Sequence, residues 1–329
     1  MRHLAALLAL VLVPLAAPAD VIVVQPGGSI QAAIDGAVDG DVVQLEMGTY
    51  DGDLDYLGKA IRVAGVGPTT VLRGTGTGPV VTFVSGEPAD AVLESVRVTG
   101  GVADSGGAIL IRNASPTIQR TVLAGNRAVS RGSAVTIEAS AARLFNNLII
   151  YNTNAGGDPH SIDITGASPT IVNNTIARGD SNGIIIRGVS APLVMNNVIA
   201  SNGSATATER RGRGICDFSA GGAAVIHYNV FNRNRVGALL TDGRDFSAIR
   251  GAQRRIGPPR LVGNLDGRPG FVGRIRRGFE DVTLADFALD GRGRATNAGN
   301  PDPAYDDIDG TRNDAGFTGG PLAPTWSLG

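Results

Sequence analysis

Short stretches in which apolar and variable residues alternate recur through the middle of the chain. They are GGAILIRN (106–113), GSAVTIEA (132–139), PHSIDITG (159–166), SNGIIIRG (181–188) and GICDFSAG (214–221). A period of two marks a half-buried strand. In register, Ile109 and Ile111 match Val135 and Ile137, then Ile162 and Ile164, then Ile184 and Ile186. A second kind of segment follows: ASPTIQRTVLAGN from Ala114, ARLFNNLIIYN from Ala142, ASPTIVNNTIARG from Ala167 and APLVMNNVIASN from Ala191. Each copy closes on an apolar residue, and Val98, Leu123, Ile149, Ile176, Ile199 and Phe231 are spaced by 25, 26, 27, 23 and 32 residues. A period near 25 with abundant Val, Ile and Thr, and no 3.6-residue recurrence, predicts a β-solenoid. One coil is expected to be strand, turn, strand, turn, with roughly seven or eight coils from Asp41 to Leu240.

The paired asparagines fit such a stack. Asn147, Asn174, Asn197 and Asn229 share one column, which Thr121 and Val96 occupy in earlier coils. Like residues lie ~4.8 Å apart in stacked coils, so the amides can bond to each other and to the backbone at a bend. A second column of Gly101, Asn126, Asn152, Gly179, Asn202 and Asn234 reads as a turn position, since Gly and Asn best tolerate positive φ.

Both ends of an open solenoid need caps. SIQAAIDGAV supplies one, with Ser29 as N-cap and Ile30, Ala33, Ile34, Ala37 and Val38 as an apolar helical face. Beyond Arg244 the repeat fades, and GAQRRIGPPRLVGN reads as irregular structure with a solvated cationic face. The expected organisation is a secretion signal over 1–19, a capped solenoid over 20–243 and an irregular C-terminal cover over 244–329.

The signal reading rests on Arg2 and His3, then an apolar run from Leu4 to Leu15, then Ala17-Pro18-Ala19. That run is too short to span a bilayer, and the expected location is extracellular, at the cell surface or in the periplasm. A net charge of -1 argues against a nucleic-acid partner. The single Cys216 forms no internal disulfide and reads as an inward core residue. With Lys59 as the only lysine, lysine chemistry in a groove is not expected.

GDVVQLEMGTY, the ASPTI…NN repeats and DFALDGRGRATNAGNPDPAYDDIDGTRNDAGFTGG together resemble secreted bacterial proteins of the pectin-lyase-like superfamily, over most of Asp20 to Gly320. The resemblance implies an all-β, right-handed, single-stranded parallel β-helix with a short N-terminal capping helix. It also implies a protein that binds or processes an extracellular polysaccharide as a lyase, epimerase or glycoside hydrolase, or else a non-catalytic structural or adhesion rod; a monomer is assumed.

Members of such a family work on the outer face of stacked strands. The repeats place Leu110, Thr136, Asp163, Ile185 and Asp217 in one outward column and Arg112, Glu138, Thr165, Arg187 and Ser219 in the next. Arg112, Glu138 and Asp217 are therefore candidate substrate-binding residues. Arg pairs bidentately with carboxylates, so an anionic sugar fits this strip; cross-coil ion pairing on a solvated sheet is the alternative. The GGDPHSID segment offers Asp158, His160 and Asp163 as candidate catalytic residues beside Arg187, with His160 as acid or base. Its Asp158-Pro159-His160 core resembles that of alginate epimerases, with Gly156 also matching. Ala155 and Gly157 stand where those proteins have a tyrosine and a second aromatic. In the tail, Asp307, Asp309 and Asp314 are candidate ligands for a structural Ca²⁺, against a plain Asp/Gly turn.

Overall fold

The computed structural model describes residues 19–154, 156, 160–203, 212–273 and 283–326. The expected secretion signal lies, up to residue 18, outside them. No helix among the described residues is long and apolar enough to cross a membrane.

Three parallel sheets run the length of the molecule. Among the described residues sheet A has ten strands, sheet B nine, and sheet C nine, of which the last, Arg244–Phe246, is antiparallel; a fourth sheet has three strands. A coil therefore holds three long-sheet strands where the repeat suggested two. Each ASPTI…NN segment is itself divided: Thr170–Val172 belongs to sheet A, Thr175–Ala177 to sheet B, and the asparagine pair turns the corner between them. The inward column of sheet A, Val43, Val63, Leu93, Ile118, Leu144, Ile171, Val194, Ile226 and Leu261, stacks into one continuous core.

The two asparagines of each pair do different work. The first takes the left-handed conformation the corner needs: φ is 53° at Asn146, 55° at Asn173 and 58° at Asn196. Asn tolerates that region better than most side chains. The second is buried and forms the ladder. The Asn174 carboxamide oxygen accepts from the backbone N–H and side-chain amide of Asn147, both at 2.9 Å. Its own amide donates to the Leu144 carbonyl at 2.9 Å and to Asn197 Oδ1 at 3.0 Å. The same pattern continues through Asn197 and Asn229 to Asn264, a rung the sequence pattern did not suggest.

The second column, Asn126, Asn152, Asn202 and Asn234, is also a ladder rather than the positive-φ site. The left-handed residue falls one position earlier, at Gly125, Tyr151, Ser201 and Arg233.

Both ends are closed. Helix α1 (Ile30–Gly36) is capped by Ser29, whose hydroxyl accepts from Ala32 N–H, and buries Ile30 and Ile34. The Lys59 ammonium donates to the carbonyls of Ile34, Asp35 and Ala37 at the helix C-terminus. Val38 lies past the helix and is exposed, so it is not part of the apolar face. At the far end the expected irregular segment is helix α2 (Ile249–Ile256), followed by further strands of sheets A and B at Leu261–Val262 and Leu265–Asp266. Gln253 of α2 ends the first ladder: its Oε1 accepts from Asn264 N–H at 2.6 Å and from its side-chain amide at 3.0 Å.

The outer face of sheet B is apolar and covered. Val122, Leu148, Ile150, Val198 and Val230 pack under Phe287 and Phe317 of the C-terminal segment. The first asparagines of the pairs anchor that segment: Asn146 donates to the carbonyls of Phe317 and Gly319, and Asn173 donates to Asp314 O and Asn313 Oδ1.

Replacing Asn174 with Leu should cost about 1 to 3 kcal/mol, because buried partners above and below lose their hydrogen bonds. Asn173→Gly, which keeps the left-handed corner, should leave the core ladder intact but speed proteolysis of the C-terminal segment. Denaturant melts and limited proteolysis check the pair; equal effects on both readouts would contradict the division of labour.

Candidate functional site

Sheet C carries the candidate residues. Its strands here are Ile109–Arg112, Val135–Glu138, His160–Thr165, Asn182–Gly188 and Arg213–Ser219. Ile111, Ile137, Ile164 and Ile186 point inward and fix the register. With those inward, Leu110, Thr136, Asp163 and Ile185 form one outer column, and Arg112, Glu138, Thr165 and Arg187 the next, as the repeats predict.

The next coil is one residue out of the expected register. Ile185 pairs with Cys216, Ile186 with Asp217 and Arg187 with Phe218. A one-residue slip exchanges the faces of a strand, so Cys216 lies in the outer column and Asp217 falls in line with the inward isoleucines. Asp217 is accordingly no part of the strip. Its buried carboxylate accepts from Ser219 N–H at 3.0 Å, Thr241 Oγ1 at 3.1 Å and Arg260 Nη2 at 2.9 Å. Ile215 takes the core position, and Arg260, expected on a solvated face, compensates the buried charge.

Arg112 and Glu138 pair across coils at 2.6 Å, and Arg131 joins Glu138 at 3.1 Å. Both arginines are exposed enough for ordinary surface ion pairing, which contributes at most about 1 kcal/mol.

His160, Asp163 and Arg187 converge. Arg187 Nη2 lies 2.8 Å from His160 Nε2. A guanidinium only donates, so Nε2 is the acceptor in this contact. Asp163 Oδ2 lies 3.4 Å from His160 Nε2 and 3.6 Å from Arg187 Nε, while Thr165 Oγ1 donates to Asp163 Oδ1 at 2.9 Å. The His160 and Asp163 side chains are fully buried, whereas that of Arg187 keeps 28% of its surface exposed. Arg187 is thus the face of the cluster that solvent reaches. Asp158, the remaining candidate, lies outside the described residues, as do Ala155 and Gly157.

The cluster lies on the outer side of sheet C. An apolar cleft lies elsewhere, between the outer face of sheet A and the C-terminal segment, lined by Phe145, Val172, Leu193, Tyr305 and Leu322.

The tail carboxylates are directed to separate backbone groups. Asp307 accepts from Asp314 N–H at 3.1 Å and Gly320 N–H at 2.5 Å. Asp309 accepts from Thr311 N–H at 2.9 Å, and Asp314 from Asn297 N–H at 2.7 Å. Among the described residues no group of three or more His, Cys, Asp or Glu side chains gathers as an ion would require. Each carboxylate thus accepts from a nearby backbone N–H, as in a braced turn. Burial, with Asp309 nearby, raises the Asp307 carboxyl above its usual 3.8. Burial, with Asp307 and Asp309 nearby, does the same to Asp314.

A family model described as "Right handed beta helix region" matches residues 107–251. No curated protein sequence matches the chain. Among solved structures, an alginate lyase from Paenibacillus sp. str. FPU-7 is similar at 16% identity and a TM-score of 0.46, over 67% of this chain and 80% of that one. Pectate lyase Pel9A is similar at 13% identity and a TM-score of 0.44, over 92% and 96%.

Raised carboxyl pKa values mean that the folded tail binds protons more tightly than the unfolded chain. That stabilisation is fully present below the ordinary value of 3.8 and is lost as pH rises through the raised values. Asp314→Asn, which keeps an acceptor for Asn297, should therefore raise the melting temperature at neutral pH, with the gain vanishing below about pH 4. Thermal melts across pH check this, and a gain independent of pH would contradict it. The parallel coils of sheets A, B and C and the matching family description over 107–251 together make the chain a right-handed parallel β-helix.

Proposed function

We propose that this β-helix is a secreted protein that binds an anionic polysaccharide along the outer face of sheet C, with Arg187 meeting a sugar carboxylate and His160 standing behind it. One observation supports the reading above others. A histidine, a carboxylate and a partly exposed arginine are gathered within 3.6 Å of one another on an outer sheet face.

The arrangement suits proton abstraction next to a carboxylate. When the guanidinium turns to a uronate carboxylate, it neutralises that charge and makes the proton on the adjacent carbon easier to remove. The same movement frees the Nε2 lone pair of His160. Nε2 then takes that proton, the carbon's electron pair forms a C=C bond, and the bond to the neighbouring sugar oxygen breaks. The leaving oxygen takes a proton from water, and the imidazolium, stabilised meanwhile by Asp163, returns its proton to the hydroxide left behind. The products are a shortened chain and an unsaturated uronate.

A second reading, a non-catalytic surface rod, draws on a different observation: His160 and Asp163 are wholly buried, as an internal tie between coils would be. The two readings separate experimentally. Purified protein is incubated with alginate, pectate and other uronates, and unsaturated products are followed by ultraviolet absorbance. His160→Ala should lower turnover about 10²- to 10⁴-fold, and Arg187→Ala should weaken both binding and rate. Unchanged turnover in His160→Ala would remove the catalytic role. No binding to any of these polymers, with both variants simply less stable, would favour the rod.

A further inference from the structure

The register slip brings an aromatic side chain beside the cluster. Phe218 pairs with Arg187 in the outer column where Arg112, Glu138 and Thr165 precede it. It is 54% exposed, against complete burial for the aromatic Phe83 of an earlier coil of the same sheet. A large ring left in water on a sheet face incurs a cost that burial would remove. Val189, one residue beyond the same strand pair, is 82% exposed.

We infer that Phe218 is a positioning residue, a stacking platform for the sugar ring next to the one whose carboxylate Arg187 holds. The inference rests on the polysaccharide reading above. A uronate ring has two chemically distinct parts, a face of C–H bonds and a charged carboxylate edge. The face suits the electron-rich face of an aromatic ring, and the edge suits a guanidinium fork. Adjacent parallel strands are ~4.8 Å apart, close to the length of one sugar unit. Arg187 and Phe218 thus offer charge and ring contacts at the spacing of consecutive residues of a polymer that runs along the stacking axis. A short acid that lacks a second ring would engage Arg187 alone.

The test compares Phe218→Ala and Phe218→Trp with wild type on polygalacturonate, alginate and the corresponding free uronic acids. Since the ring is exposed, both variants should fold, which a melting curve verifies. Phe218→Ala should raise the KM, or the Kd in affinity electrophoresis, about 2- to 10-fold for the polymers. It should leave kcat and monomer binding unchanged, and Trp should restore polymer affinity. Polymer affinity that falls in Arg187→Ala but not in Phe218→Ala would overturn the platform and leave the polysaccharide reading standing. Polymer affinity insensitive to both substitutions would overturn the two together.

Discussion

Everything in this molecule hangs on the corner between sheets A and B. A coil can close there only if one residue adopts a left-handed backbone and the next turns its side chain into the interior. That interior position is closed to water, so whatever occupies it must satisfy its own polar groups and the backbone groups the bend releases. Asparagine does both, because its amide and carbonyl match the donor and acceptor left by the coils on either side. The ladder from Asn147 to Asn264 is thus continuous, and it stops only where Gln253 supplies an acceptor from a helix. Early coils use Thr121 at that corner and end the ladder from the other side, with its N–H donating to Asn147.

The corner also decides where the C-terminal segment docks. With the second asparagine turned in, the first is turned out, and Asn146, Asn173 and Asn196 hold the returning C-terminal segment. That segment covers the apolar outside of sheet B with Phe287 and Phe317. The closing chain and the core thus share one sequence device. Structure in the tail follows the same rule as structure in the rod: carboxylates such as Asp307 and Asp314 are directed to backbone N–H groups, while burial raises their pKa values.

Much of this was legible from periodicity. Stacked isoleucines fix the register of sheet C from Ile109 to Ile186, and that alone brings Asp163 into the column beside Arg187. Where periodicity was weak, the reading slipped. GICDFSAG presents two apolar alternations, Ile215 with Asp217 or Cys216 with Phe218. Preferring apolar residues inside picks the second. The fold picks the first, because Ile215 fills the core column and Arg260, 43 residues further along the chain, neutralises Asp217. No local pattern announces a partner that distant. The third strand of each coil was likewise hidden, since an asparagine pair inside a β-branched run looks the same whether the strand bends or continues.

The outer face of sheet C contains its own control. Arg112 and Glu138 tie neighbouring coils through a solvated pair, which needs no burial. Ile185 and Leu110 show that the column containing Asp163 accepts apolar residues. A β-helix of this design therefore had two inexpensive ways to fill the position between coils, and at Asp163 it uses neither. Burying a carboxylate costs several kcal/mol before partners compensate, and stability alone does not call for it beside those alternatives. At Asp163 the compensation comes from Thr165 on one oxygen and from His160 and Arg187 near the other, so a change to any of these side chains exposes the others to part of that cost.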